Sequence, residues 1–137
     1  MAKHLRLQIE EQLRERGLKI TPQRFAILEH LAQNHEHPTA DEIFNAINRQ
    51  FPRASRATVY NTVAALAEAG LIETLCLDDG VIRYDANLTA HHHFICRRCR
   101  KILDVPGHAV RGKLAWRAPH QVESYEVVMR GLCRKCR

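Results

Sequence analysis

The chain has 137 residues, 26% of them charged and 45% hydrophobic, and a formal net charge of +6. That length holds one domain or two very small ones, and a very small domain needs a staple such as a metal because its core is marginal. No apolar run approaches the ~20 residues that cross a bilayer, and Met1-Ala2-Lys3-His4 opens no signal peptide, so a soluble, cytoplasmic protein with no membrane partner is expected. The charge is uneven. Residues 1–72 carry nine Lys/Arg against eight Asp/Glu, a net of +1, and residues 73–137 carry twelve against seven, a net of +5. The excess accompanies the cysteines, where Arg97, Arg98, Arg100, Lys101, Arg134 and Lys135 offset the charge of a thiolate site, so bulk charge argues only weakly for a polyanion partner.

In chain order, Leu5, Ile9 and Leu13 recur every four residues among charges and predict an amphipathic helix over 3–16, stopped by Gly17. Thr21 with Pro22 reads as an N-cap and first helical position, and Phe25, Leu28 and Leu31 place a second helix to about Asn34. Thr39 with Glu42 spells a capping box for a third helix, buried through Ile43, Phe44 and Ile47 and ending before Pro52. Ser55 caps a fourth that stops near Gly70. Its buried sector is Val59, Val63 and Leu66, and its opposite face is Ala57, Asn61 and Ala64 flanked by Thr58 and Tyr60, small and hydrogen-bonding as a major-groove reader is. The β-rich runs Ile72–Leu77 and Val81–Tyr84, joined through Asp78-Asp79-Gly80, predict a hairpin. Three helices, a fourth and a hairpin make a winged helix-turn-helix. Beyond it, strands are expected at His93–Cys96, Lys101–Val105 and Val122–Met129, with a weak helix over Ala109–Trp116. The fold class is therefore α+β, with a winged helix at 1–84, a linker at 85–90 and a small zinc-stapled α/β domain at 91–137.

Cys96, Cys99, Cys133 and Cys136 form two CxxC pairs. A two-residue spacer turns both sulfurs toward one point, and in a reducing compartment such pairs are metal ligands rather than disulfides, giving a closed four-thiolate structural zinc site. The 33 residues between the pairs exceed a common zinc-ribbon spacing, so strands in the interval must bring them together. Cys76, alone in an apolar strand, reads as packing. His91 and His93 alternate along a strand and face one side, with His92 on the other. Imidazole with carboxylate suits Fe2+, Mn2+ or a second Zn2+.

The segments Ile20-Thr21-Pro22-Gln23-Arg24, His37-Pro38-Thr39-Ala40-Asp41, Ala57-Thr58-Val59-Tyr60-Asn61, His91-His92-His93-Phe94-Ile95-Cys96 with Cys99, and Gly131-Leu132-Cys133 with Cys136 resemble the ferric uptake regulator family over nearly the whole chain, and most of all its peroxide-sensing repressors. The resemblance implies a homodimer that binds a palindromic double-stranded DNA operator, with the C-terminal domain for dimerisation. It implies a regulatory Fe2+ or Mn2+ held by His37, Asp85, His91, His93 and Asp104. Position 104 is aspartate, as in peroxide sensors, where iron-sensing relatives usually carry glutamate. Fe2+ at such a site reacts with peroxide and the oxidant attacks a coordinated histidine, His37 or His91; Mn2+ leaves the repressor insensitive. For DNA, Ser55, Arg56, Thr58, Tyr60 and Asn61 are the implied contacts, Arg56 and Thr58 to phosphates, Tyr60 and Asn61 to base edges or thymine methyls. The chain departs from the family at Tyr125, where relatives often carry a histidine of an additional metal site, and at Asn61, where iron sensors tend to have arginine.

Three other readings stay open on the sequence. An iron-, zinc- or haem-responsive repressor would share this scaffold. A non-haem metalloenzyme would use the same His/Asp donors to activate water or oxygen, but no separate nucleophile, base or glycine-rich cradle accompanies them, so a non-enzyme is expected. A zinc-stabilised protein-interaction module would use the winged helix without DNA.

Overall fold

The computed structural model describes residues 2–77, 79–112, 114–116 and 118–137. The chain divides into two compact units, Met1–Leu88 and Thr89–Arg137. No helix among the described residues is long and apolar enough to cross a membrane.

The first unit contains α1 (Ala2–Glu15), α2 (Pro22–Gln33), α3 (Ala40–Gln50) and α4 (Arg56–Glu68). The last three begin where the sequence marks them. Thr21 Oγ1 accepts from the Arg24 N–H at 3.2 Å, with Pro22 at the first helical position. Thr39 and Glu42 close a reciprocal capping box at 3.1 and 3.2 Å, and Ser55 Oγ accepts from the Thr58 N–H at 3.0 Å. Each cap satisfies an amide that the first helical turn leaves without a carbonyl. The core joins Ile9 and Leu13 of α1, Ile27, Leu28 and Leu31 of α2, Ile43 and Ile47 of α3, and Val59, Val63 and Leu66 of α4, closed by Leu71 and Ile72. Two of the aromatic residues expected in the core sit at its margin: Phe25 and Phe44 are only partly buried, and Ile27 takes the central place on α2. Branched aliphatics fill the narrow space between crossing helices better than rings do.

β1 (Glu73–Cys76) and β2 (Ile82–Asp85) pair antiparallel from Glu73↔Asp85 to Cys76↔Ile82. Gly80 turns the chain at φ +70°, and Asp79 Oδ1 accepts from the Val81 N–H at 3.0 Å. Asp78 lies outside the described residues. β1 starts one residue later than predicted because Ile72 belongs to the helical core. The other edge of β2 meets the start of α3: Thr39 bridges to Arg83, and Pro38 O accepts from the Tyr84 N–H at 2.9 Å. The hairpin is thus tied to the residues just before α3, which completes the winged helix-turn-helix.

The second unit is a three-stranded sheet ordered β4-β3-β5, with β3 at His91–Cys96, β4 at Ile102–Pro106 and β5 at Val128–Gly131. β3 and β4 run antiparallel with His93↔Asp104, while β3 and β5 run parallel from His93↔Val128 to Cys96↔Gly131. A Cβ on Gly107 would lie 2.7 Å from the Ala90 carbonyl oxygen, so only glycine fits where the chain leaves β4 beside the start of β3.

Two expectations fail in this unit. The helix expected over Ala109–Trp116 does not form among the described residues; a single 3-10 turn, Gly107–Ala109, stands before it. Gly112 sits at φ +113° inside that stretch, and a segment so short has too few turns to repay nucleation. The strand expected over Val122–Met129 reduces to Val128–Gly131. Upstream of Val128 one backbone bond continues, from the His93 N–H to Val127 O at 3.1 Å, but the Val127 N–H donates to His92 Nδ1 at 3.0 Å and Glu126 bonds His93 Nδ1, so the regular ladder ends there.

Leu66→Ala is expected to lower the unfolding free energy by about 2–5 kcal/mol, and Thr39→Ala by about 1 kcal/mol through loss of the capping box. Urea titration followed by helical circular dichroism measures both, and equal effects of the two would contradict this account of the core.

Candidate metal centres and nucleic-acid surface

The parallel pairing of β3 with β5 explains how cysteine pairs separated by 33 intervening residues meet. Cys96 ends β3 beside Gly131, and Cys133 follows two residues later. The amides of Cys99 and Cys133 both point at Cys96 Sγ, at 3.5 and 3.4 Å. Arg97 N–H to Gly131 O at 2.8 Å and Arg98 Nη1 to Cys136 O at 3.0 Å lock one knuckle to the other. The four sulfurs lie within 4.8 Å of one another. A tetrahedron with Zn–S of about 2.3 Å has S···S edges of about 3.8 Å, and Cys99 Sγ lies 3.7 Å from Cys133 Sγ.

Acidity follows from this crowding. Cys96 is drawn down to about 5, first by the Cys133 N–H at its sulfur and then by that of Cys99. Burial pushes Cys133 up, but the Lys135 N–H and the sulfurs of Cys136 and Cys99 together hold it below the ordinary thiol value. Cys136 is pushed up to about 12, first by the Cys133 sulfur and then by burial. One sulfur ionises early and another resists because negative charge accumulates at one point. A dication there lets all four be thiolates, so the donor set fits zinc. Cys76, on β1 of the first unit, is exposed and is not the packed cysteine expected.

The β3–β4 register builds a second donor face in the same unit. His91 and His93 point to one side, their ring centroids 4.7 Å apart, as the alternation predicted. Their Nε2 atoms lie 3.6 and 3.5 Å from Asp104 Oδ1. Opposite them, His92 is buried and its ring tilts against Tyr125, centroids 5.9 Å apart. His91 Nδ1 lies 2.6 Å from Thr89 O. A carbonyl only accepts, so this nitrogen carries the hydrogen and Nε2 presents its lone pair. Glu126 sets His93 the same way, accepting from Nδ1. Two lone pairs and a carboxylate oxygen facing each other repel unless a cation lies between them, and the N/O character suits a borderline dication.

In the first unit, His37 and Asp85 form a pair of their own, Nε2 to Oδ2 at 3.4 Å, with both residues buried. Asp85 ends β2, and its Oδ1 accepts from the Asn87 N–H at 2.8 Å. His37 has φ +56° although it precedes Pro38. A left-handed, non-glycine residue before proline is disfavoured twice, and such strain persists where surroundings impose it, commonly at functional sites.

The outward face of α4 is exposed as predicted, at Ala57, Thr58, Tyr60, Asn61 and Ala64. Ser55 caps the helix, its Oγ 2.7 Å from Thr58 Oγ1. The Arg56 guanidinium lies 4.6 Å from the Phe44 ring centroid and pairs with Asp41, which also accepts from the Tyr60 hydroxyl. Tyr60, then Asp41, hold the Arg56 pKa above its ordinary value.

A profile of the ferric uptake regulator family matches residues 15–129. The chain belongs to the ferric uptake regulator family. Among its relatives, the peroxide operon regulator of Bacillus subtilis is 40% identical over 139 residues, covering 99% of this chain and 96% of that protein. The peroxide-responsive repressor PerR of Staphylococcus aureus is 38% identical over 128 residues, covering 90% and 86%. The Campylobacter jejuni peroxide stress regulator superposes with a TM-score of 0.69 at 26% identity, covering 95% of this chain and 97% of that one.

Three contributors to these ferric uptake regulator sites escape the sequence: Glu126 and Thr89, which fix the histidine tautomers, and Asp41, which gathers Arg56 and Tyr60. Glu126 carries no local signal, because its meeting with His93 depends on the parallel register. Asp41 stands inside the His37–Asp41 motif and was visible only as a helix-start acid.

Cys133→Ser is expected to eliminate stoichiometric zinc, whereas Cys76→Ser retains it; elemental analysis of purified protein decides, and zinc retained by Cys133→Ser would refute the shared site. Glu126→Ala should weaken binding of a borderline dication about 10–100-fold, as loss of a histidine-orienting carboxylate does, which titration with Mn2+ measures.

Proposed function

We infer that the chain is a metal-dependent transcriptional repressor that responds to peroxide. The observation that carries this reading is the His91–His93–Asp104 face with both Nε2 lone pairs directed to one carboxylate oxygen, beside a separate four-cysteine set. Two chemically distinct donor sets suit two tasks, a closed thiolate shell for folding and an open N/O shell for sensing. The peroxide regulators among its relatives support the second task.

On this reading Cys96, Cys99, Cys133 and Cys136 hold structural Zn2+. His37 and Asp85 join His91, His93 and Asp104 around a regulatory Fe2+ or Mn2+. When bound, Fe2+ supplies one-electron chemistry with peroxide. The chain's own part is to offer the ring that is consumed, His37 or His91: the net change is one oxygen atom added to the imidazole and one water released per peroxide. Oxidation withdraws a ligand, and the arrangement that favours DNA is lost. The chain acts as a homodimer in the cytoplasm on a palindromic double-stranded operator, and it consumes itself rather than turning over a substrate. Residues 1–84 bind DNA through Ser55, Arg56, Thr58, Tyr60 and Asn61, residues 85–90 link, and residues 91–137 dimerise and bind metal. Linkage requires the ion to be held more tightly on DNA by the same factor that it tightens DNA, a coupling of roughly 1–3 kcal/mol.

The test uses oxygen-free protein and a duplex selected from a random-sequence pool by the Mn2+-loaded repressor. Peroxide should release the Fe2+ form from this duplex and leave the Mn2+ form bound, with one added oxygen on the peptide of His37 or His91 by mass spectrometry. Undiminished binding of the Fe2+ form with unmodified histidines would sink the peroxide reading, and a response to Zn2+ or haem alone would favour a metal- or haem-responsive repressor.

A further inference from the structure

Asp41 lies in the first turn of α3, yet its carboxylate is turned to the exposed face of α4, where Oδ1 receives both the Arg56 guanidinium and the Tyr60 hydroxyl. The Asp41 and Arg56 side chains are 61% and 56% exposed. An ion pair so exposed adds little to folding stability, because water screens it and two side chains must be held still. As pure electrostatics a carboxylate is unfavourable here, since the surface proposed to meet DNA phosphates should be cationic. The helix dipole favours an acid in the first turn of α3, but that modest effect does not require the carboxylate to bond Arg56 and Tyr60 of another helix.

We propose that Asp41 is a positioning residue of the DNA-reading surface, holding Arg56 and Tyr60 on one oxygen so that both meet DNA already ordered. The proposal rests on the reading that α4 enters the major groove. Arg56 is held from two sides, by Asp41 and by the Phe44 ring, which fixes a long, otherwise mobile side chain before binding. The Tyr60 hydroxyl hydrogen is committed to Asp41. Tyr60 therefore meets the groove with its ring and an oxygen lone pair, which suit a thymine methyl or the amino group of adenine or cytosine, and not a purine acceptor. Asp41 acts by arranging its neighbours and touches no base.

The test compares Asp41→Ala and Asp41→Asn in the full-length, zinc-containing, Mn2+-loaded protein, on the selected duplex and on a scrambled version of it. Loss of preorganisation should weaken Asp41→Ala on the selected duplex about tenfold and leave the scrambled duplex equal or tighter. Asp41→Asn keeps an acceptor oxygen and should stay within about threefold on the selected duplex. Asp41→Ala and Tyr60→Phe should be non-additive in a double-mutant cycle. Wild-type or tighter binding of the selected duplex by Asp41→Ala, or strict additivity, overturns the proposal. Selected-duplex binding unchanged by Arg56→Ala and Tyr60→Ala is a different failure: α4 would not be the reader, and the positioning role would fall with it. Both Asp41 variants alter an exposed side chain on a helix capped by Thr39, and retained zinc and helical signal confirm their folding.

Discussion

β3 is hydrogen-bonded on both sides, antiparallel to β4 and parallel to β5, and the second unit's chemistry depends on that double pairing. The antiparallel side sets His93 against Asp104. The parallel side sets Cys96 against Gly131, so the second CxxC pair follows directly. Because side chains alternate along a strand, one register delivers His91 and His93 to one face, and a one-residue slip would exchange them for His92. The thiolate site in turn pins the register, since Cys99 and Cys133 amides converge on the Cys96 sulfur. The four-cysteine group and the orientation of His91 and His93 are two ends of one six-residue strand.

The histidines are specified by what stands behind them. Thr89 O and the Glu126 carboxylate each claim an Nδ1 hydrogen, leaving Nε2 as the donor atom. A neutral imidazole with this tautomer gives up no proton when it ligates, so the ion competes only with protonation from solvent. Glu126 adds negative charge behind one ring and the Thr89 carbonyl adds only a dipole behind the other, so His93 and His91 are unequal donors. A carboxylate behind one ring adds to its attraction for a dication more than a carbonyl dipole behind the other does. That asymmetry is a physical reason for the two rings to differ toward a bound ion.

What the sequence disclosed and what it hid follow from the range of the interactions. Helix starts were legible because caps are local: Thr21, Thr39 and Ser55 act within three residues. Each cysteine pair was legible because CxxC is local, and the co-facing histidines because strand alternation is. The end of the chain was misjudged where the deciding partner is distant. Val122 to Val127 has strand composition, but at its end the Val127 amide and the Glu126 acid answer to His92 and His93, more than 30 residues earlier. Ala109–Trp116 had helical spacing on paper and a glycine at φ +113° in fact. The Glu126 bond to His93 and the Asp41 bonds to Arg56 and Tyr60 were hidden for the same reason, each joining residues far apart in the chain.

Within the first unit, the stretch from His37 to Asp41 connects two chemistries over five residues. At one end His37, in a strained left-handed conformation, faces Asp85; at the other, Asp41 gathers Arg56 and Tyr60. Between them Pro38 and Thr39 are tied to β2 through Tyr84 and Arg83, and Thr39 fixes the first turn of α3. So short a segment, bonded to the hairpin on one side and locked into a helix on the other, has little freedom to absorb a displacement. A ligand that holds His37 acts on the same rigid turn that carries Asp41. Under the proposed ligand assignment, sensing and reading would share this five-residue lever, and oxidation of His37 would release it at its end. On the same assignment, oxidation of His91 would leave the lever intact and take away a ligand of the ion proposed to load it.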